Sequence, residues 1–196
     1  MTDKVQEELN KILEKYRWKS IDQINWLIIS TDIKLSEEFI EKFQDKVYWS
    51  FILQYQTLSE EFIEKYQYKF CWDGISCFQT LSETFIGKHQ DQVNWMLISI
   101  CQIFSETFIE KYENRVNWRE ISYSQTLSEE FMEKHKDKIS WDLISTRQTF
   151  SKKFIIKFQE KLSLGSLLMN KNINIDINKR IKCNKKNNNR FQLLDI

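Results

Sequence analysis

The sequence contains no proline, no alanine and only three glycines among its 196 residues. The missing residue types have GC-rich codons, whereas the abundant Ile, Lys and Asn have AT-rich codons. We therefore attribute the absence of alanine, the best helix former, to codon bias. Three glycines leave no room for a glycine-rich phosphate-binding loop. The composition thus argues against a common class of nucleotide site without arguing against helices.

A strong charge imbalance and long apolar runs are also lacking. The formal net charge of +1 argues against attraction of the whole chain to nucleic acid or to an anionic membrane. No apolar run approaches the roughly 18 residues of a membrane span, and the polar start is unlike a secretory signal. Four cysteines form no C-x-x-C pair, which favours reduced thiols. We expect an intracellular protein without a signal peptide or transmembrane segment.

Tryptophan, by contrast, recurs with a regular step of 23 residues. The six positions are Trp26, Trp49, Trp72, Trp95, Trp118 and Trp141. The same step carries a serine, from Ser36 to Ser151, and a phenylalanine, from Phe39 to Phe154. One unit reads W-x-x-I-x-x-x-Q-T-[LF]-S-E-E-F-I-E-K, with local exceptions. This regularity indicates a tandem repeat array.

The second half of each unit has the apolar spacing of a helix. Leu35, Phe39, Phe43 and Val47 are four residues apart, which is typical of a helix and not of a strand. Ser36 can cap such a helix, and the two glutamates that follow it suit the helix dipole. We expect those acidic pairs to form a solvated helix start.

Two details of this second helix stay open at the sequence level. Thr57 with Glu60 fits a capping box that begins slightly before the serine. Glu61 and Lys65 have the spacing of an outward i,i+4 ion pair.

A shorter helix begins at each tryptophan. Trp26 and Ile29 share one face, and the glutamine seven residues after a tryptophan, such as Gln56, continues it. Neither helix exceeds roughly three turns, so its stability must come from stacking on the neighbouring units. The sequence predicts an all-α fold: an α-solenoid of about six units, each with two short helices.

Three segments follow from this pattern. Residues 1–25 form a degraded N-terminal capping repeat, since Tyr16, Lys19 and Ile24 match the second helix of a unit in register with Trp26. Residues 26–169 form the helical array, in which 165–169 make a last capping turn. Residues 170–196, rich in Asn and Lys, are expected to be mostly disordered.

The unit resembles the tandem W-x-x-I-S…L-S-E-E-F-I-E-K repeats of a protein family from giant DNA viruses and some phages. The resemblance covers about residues 12–164 and depends on a motif repeated six times in register. It implies an α-helical repeat protein, located in the cytoplasm of an infected host, for which no catalytic residues can be transferred. Gly87 and the pair Lys152-Lys153 depart from the motif, where it has glutamate.

Candidates for chemistry are few. His89 and His135 occupy a repeat position that elsewhere holds Phe or Tyr, which favours packing over metal binding. Cys71, Cys77 and Cys101 have no histidine nearby to activate them, so we expect small buried side chains. We predict no catalytic residue, no cofactor and no metal, and the protein is not expected to be an enzyme.

The positions that change from repeat to repeat suggest a binding surface. They lie one, two, five and six residues after each tryptophan, beside the constant Trp/Ile stripe, and include Gly74. Aromatic residues and arginine at such positions are typical of interface hot spots. The predicted contacts with an unidentified protein partner are Phe51, Tyr55, Phe78, Arg119, Tyr123 and Arg147. The alternative is that these positions vary because packing between units accepts different apolar residues there and because the other positions are exposed to solvent.

A second hypothesis assigns the function to the C-terminal tail. Residues 163–196 contain seven Lys or Arg against two acidic residues. A basic arm can bind the phosphates of nucleic acid weakly and without sequence preference. In that case the protein would be nucleic-acid-associated or structural, and the repeats would not be its binding surface.

Overall fold

The computed structural model of this protein describes residues 2–172, 181–183 and 191–193. The chain forms two compact units, Met1–Ile98 and Ser99–Ile196. The boundary between these units falls within one of the helices, α8, which spans Trp95–Cys101.

The first element of the N-terminal unit is the longest helix among the described residues, α1, Asp3–Tyr16. Its apolar residues Val5, Leu9 and Ile12 recur at helical spacing and are buried, which gives α1 one packed face and one polar face. Arg17, the residue that follows the helix, has a left-handed backbone with a φ of 57° and ends the helix.

A short helix begins at each tryptophan position, and these first helices have six or seven residues. They are α2 Trp26–Asp32, α4 Trp49–Tyr55, α6 Trp72–Phe78, α8 Trp95–Cys101, α10 Trp118–Ser124, α12 Trp141–Arg147 and α14 Leu164–Met169. Where asparagine precedes the tryptophan it caps the helix: Asn25 and Asn117 each accept two backbone N–H groups. The predicted turn at 165–169 is thus a helix in the same register.

A second helix of six residues follows each first helix except α14 among the described residues. These second helices are α3 Glu37–Lys42, α5 Glu60–Lys65, α7 Glu83–Lys88, α9 Glu106–Lys111, α11 Glu129–Lys134 and α13 Lys152–Lys157. The serine is the N-cap in every case, as in Ser59, whose Oγ accepts the Phe62 N–H at 3.1 Å. The alternative start at Thr57 is therefore wrong.

Successive first helices pack against each other within each unit. In the N-terminal unit α2 contacts α4 and α4 contacts α6; in the C-terminal unit α10 contacts α12 and α12 contacts α14. The isoleucine three residues after tryptophan, such as Ile29 or Ile144, is fully buried between them. This stacking confirms the predicted all-α repeat fold and is the arrangement of an α-solenoid within each unit.

The N-terminal segment departs from its predicted register. Lys19 lies outside any helix, and the residues before Trp26 form a short 3-10 helix, Ile21–Gln23. The cap is instead α1, which packs against α3. Ile24, in register with Val47 of the next repeat, is buried as Val47 is.

The C-terminal segment contains two short strands that the sequence did not predict. β1, Ile181–Cys183, pairs antiparallel with β2, Phe191–Leu193. The rest of the tail that we expected to be disordered, residues 173–180, 184–190 and 194–196, lies outside the described residues.

Candidate interaction surface

Within each unit, buried glutamines connect a repeat to the one before it. Gln79, 3% exposed, accepts the Leu58 N–H through Oε1 at 2.9 Å. Its Nε2 donates to the carbonyls of Leu53 at 2.6 Å and Gln56 at 2.8 Å. Gln148 in the C-terminal unit likewise accepts from Leu127 and donates to Gln125. These amides satisfy backbone groups that would otherwise be buried without partners.

A glutamate at the start of α3, α5, α9 and α11 binds the serine that caps the next second helix. Glu60 Oε1 accepts the Ser82 N–H at 2.6 Å, and its Oε2 accepts the Ser82 hydroxyl at 3.0 Å. The same contact joins Glu37 to Ser59. The prediction that the acidic pairs form a solvated helix start therefore holds for the second residue, such as the exposed Glu61. It is wrong for the first, such as Glu60, which binds a serine of the next repeat.

The lysines of the second helices also bind the preceding repeat. Lys65 Nζ lies 2.6 Å from Glu41 Oε1, and Lys88 Nζ lies 2.6 Å from Glu64 Oε1. The predicted pair of Lys65 with Glu61 in the same helix is thus replaced by a pair between repeats.

Tryptophans join first helices to the second helices that follow them. The Trp49 ring packs 5.1 Å from Tyr66 and 6.3 Å from Phe62, and its Nε1 donates to the Gln44 carbonyl at 2.9 Å. Lys69 lies over the same ring at 5.8 Å from its centroid. Such a cluster fixes the turn between two helices that would not be stable alone.

His89 fills the aromatic position, as the sequence predicts. Its ring lies 4.9 Å from Trp72 and 4.5 Å from Phe85. Nε2 lies 3.1 Å from Glu64 Oε1, the oxygen that also binds Lys88. The Lys88 ammonium, and after it His89, lowers the pKa of the Glu64 carboxyl.

His135 has matching surroundings in the C-terminal unit. It packs against Trp118 and Phe131, and its Nε2 lies 3.3 Å from Glu110 Oε1. The Lys134 ammonium, and after it His135, lowers the pKa of Glu110. Among the described residues, no three His, Cys, Asp or Glu side chains are grouped as metal ligands would be.

The cysteines are not the buried side chains that we expected. Cys71 and Cys101 are exposed, and Cys77 is half-buried. These short first helices have few fully buried positions besides those of isoleucine and serine, so small apolar residues elsewhere on them stay in contact with water.

The variable positions of the N-terminal unit carry exposed aromatic side chains. Tyr55 is 54% exposed and Phe78 is 49% exposed, while Phe51 is half-buried. Phe51 stacks on Tyr55 at 6.2 Å and meets Tyr48 edge-on at 6.3 Å. Gly74 is the exception, since it is buried and is therefore a packing position. We call Tyr48, Phe51, Tyr55 and Phe78 the aromatic patch.

Sequence reasoning missed Tyr48, which is 50% exposed. It precedes a tryptophan directly, at a position where other repeats have Asn, Cys or Ser. This variation from repeat to repeat is the feature of the sequence that could have identified Tyr48 as an exposed position.

The three predicted residues of the C-terminal unit are also exposed. The Arg147 guanidinium carbon lies 4.0 Å from the centroid of the Tyr123 ring, and Arg147 Nη2 donates to the Tyr123 hydroxyl. Tyr123 and Arg147 border a cleft that Thr126 and Asn172 also line. Arg119 does not line this cleft, so the structure brings together two of the three.

The chain matches no protein family model, no curated protein and no solved structure. No helix among the described residues is long and apolar enough to cross a membrane. The resemblance to the viral repeats therefore stays a prediction.

Proposed function

We propose that this protein is an interaction module whose first helices bind a partner protein. The observation that carries the proposal is a division between two sets of positions. The residues that repeat are buried or bound to the adjacent repeat, whereas the variable aromatic residues Tyr55, Phe78 and Tyr123 are 54%, 49% and 43% exposed. Exposed aromatic and arginine side chains are the residue types on which interfaces depend most.

Binding, not catalysis, is the activity that we propose. The histidines contact Trp and Glu of the repeat, and four of the first-turn glutamates bind capping serines in the next repeat. These groups support the array. We further propose that the protein acts inside the cell, and that it belongs with the viral repeat proteins that it resembles.

The test is a pull-down from the lysate of a relevant host cell, with mass-spectrometric identification. One variant changes Phe51, Tyr55 and Phe78 to Ser, and a second changes Arg119, Tyr123 and Arg147 to Ser. A matched control changes Lys42, Glu61 and Glu130, which are exposed on the second helices, to Ser. Circular dichroism confirms that all three stay helical.

A partner that wild type and control recover, and that either first-helix variant loses, supports the proposal. Equal recovery by all four proteins contradicts it. If a salt-sensitive nucleic acid is retained instead, and is lost on removal of residues 170–196, the basic tail is the functional part.

A further inference from the structure

The cleft of the C-terminal unit lies where the chain leaves α10 and α12. Its volume is about 290 Å³. Polar side chains line it, among them Tyr123, Thr126, Arg147, Thr149 and Asn172. A concave site with a few polar groups fits a small part of a ligand, such as one or two side chains of a peptide.

Arg147 is held in a fixed orientation at this cleft. Its guanidinium stacks on the Tyr123 ring at 4.0 Å and donates one hydrogen bond to the Tyr123 hydroxyl. A planar guanidinium has five N–H donors, so most remain for a ligand. Because the stacked ring restricts the side chain before binding, less rotamer entropy is lost when a ligand arrives.

The positive charge of Arg147 has no acidic partner among the described residues. In the same unit Lys134 pairs with Glu110, and Lys157 pairs with Glu133. Arg147 forms no such ion pair in the part of the chain that the structure describes, and no acidic side chain lines the cleft there. The site is therefore complementary to a negative ligand.

The walls of the cleft are rigid and offer further donors. Gln125 and Gln148 are buried and bind backbone groups of the adjacent repeat. Asn172 is fixed by its Nδ2, which donates to the Arg147 carbonyl at 2.6 Å. Thr126 and Thr149 are exposed, and each has a hydroxyl that can donate to an anion.

We propose that this cleft binds a carboxylate side chain of an acidic segment in a partner protein, with Arg147 as the principal contact and Tyr123 as the residue that positions it. The proposal depends on the interaction function proposed above and names the partner's chemistry. Bidentate pairing with a carboxylate is the strongest use of a guanidinium. A single cation suits one carboxylate better than a nucleic-acid backbone, which needs several cations along its phosphates.

The test uses full-length protein with isotope-labelled arginine and observes the side-chain Nε–Hε signals by NMR. The probes are a hexaglutamate peptide blocked at both ends, its hexaglutamine counterpart and a uridine hexanucleotide. We expect hexaglutamate to shift the Arg147 signal and hexaglutamine to leave it unchanged. Arg147→Gln should weaken hexaglutamate binding at least about tenfold, since a charged hydrogen bond is lost.

Lys153→Gln is the matched control, because Lys153 is an equally charged, exposed residue of the same unit that lies outside the cleft and outside the proposed binding surface. We expect it to change the affinity less than about twofold, because exposed charges interact weakly through screened solvent. Tyr123→Leu should weaken binding and broaden the Arg147 signal, and Tyr123→Phe, which keeps the stacked ring, should restore most of the affinity. Helicity and melting temperature establish that each variant is folded.

Four results would overturn the proposal. The first is that Arg147→Gln and Lys153→Gln weaken binding equally. The second is that hexaglutamine binds as well as hexaglutamate, and the third is that the hexanucleotide binds Arg147 more tightly than the peptide does. Absence of any hexaglutamate binding also overturns it. The aromatic patch of the N-terminal unit is not probed by this experiment. If the carboxylate site fails but a pull-down still captures a partner through that patch, the proposed interaction function stands and only the carboxylate site is wrong.

Discussion

At the scale of single residues, Leu53 and Gly74 form a matched pair that interrupts the repeat. In α2, α6, α8, α10 and α12 the residue four after tryptophan is a buried serine, such as Ser76, whose hydroxyl donates to the Trp72 carbonyl. Leu53 takes this position in α4. A Cβ added to Gly74 would lie 2.5 Å from Leu53 Cδ2, so the larger leucine requires the glycine.

This pairing predicts that the effect of Gly74→Ala on the free energy of unfolding differs in sign between the wild type and the Leu53→Ser variant. Gly→Ala within a helix normally stabilises by about 1 kcal/mol. In the wild type we expect Gly74→Ala to be neutral or to destabilise by about 1 kcal/mol, because Leu53 must move. In the Leu53→Ser background the same change should stabilise. A double-mutant cycle by urea denaturation measures the coupling, and additive effects would disprove the pairing.

The sequence predicted the buried isoleucines and phenylalanines because helical spacing alone places them on one face. It did not predict the contacts of Gln79 or Glu60, because their partners lie more than 20 residues away in the adjacent repeat. Periodicity shows that such residues recur, but not which neighbour they meet. The contacts depend on how one repeat stacks on the next, and the sequence of a single repeat does not specify that stacking.

At the scale of helices, Glu60, which begins α5, should contribute more to stability than Glu61 beside it. Glu60→Ala removes both acceptors of Ser82, so we expect a loss of about 1 kcal/mol in the free energy of unfolding. Glu61→Ala, at an exposed position one residue later, should change it by less than about 0.5 kcal/mol. Urea denaturation compares the two variants. Equal losses would mean that only the helix dipole is involved.

Ion pairs between adjacent repeats predict a loss of stability in acid. Lys134 and His135 lower the pKa of Glu110, and Lys138 lowers the pKa of Glu113. A carboxyl with a lowered folded-state pKa stabilises the fold above its unfolded-state pKa, and this contribution is lost as pH falls through the folded-state value. The free energy of unfolding should therefore decrease from about pH 5 to pH 3.

Substitution assigns this pH dependence to a residue. Glu110→Gln should flatten the decrease, measured by urea denaturation across the pH range, because the titrating carboxyl is gone. Glu130→Gln, at an exposed position on α11, serves as the control and should retain the wild-type slope. If both variants follow the wild-type curve, Glu110 does not contribute.

The N-terminal helix shows where periodicity gave the wrong register. Glu8 of α1 binds the N–H and hydroxyl of Ser36, as Glu37 binds Ser59 one repeat later. The separation is 28 residues in the first case and 22 in the second. A longer connection therefore separates the cap from the array, and a fixed 23-residue step could not find it.

At the scale of the whole molecule, the contacts between second helices end together in the part of the C-terminal unit that the structure describes. Lys152 and Ile156 occupy positions that one repeat earlier hold residues bound to the next repeat, namely Glu129 and Glu133. The described chain has no further second helix after α13 for them to bind. The departure from the motif at Lys152-Lys153 therefore coincides with the end of the repeating contacts.

The account as a whole assigns constant positions to stability and variable positions to binding. Gln79 and Phe78 are adjacent in the chain and represent the two classes. Gln79 is buried and makes three hydrogen bonds to the preceding repeat, whereas Phe78 is 49% exposed in the aromatic patch. Because the two residues are adjacent, substituting each in turn separates the role in stability from the role in binding at nearly the same place in the fold.

The most direct test is the free energy of unfolding of Gln79→Met and Phe78→Ser, measured by urea denaturation beside the wild type. Gln79→Met keeps the side-chain volume but leaves three backbone groups without partners, so we predict a loss of about 2–4 kcal/mol. Phe78→Ser should lose less than about 1 kcal/mol. A larger loss for Phe78→Ser than for Gln79→Met would contradict the division of roles and, with it, the proposed binding surface.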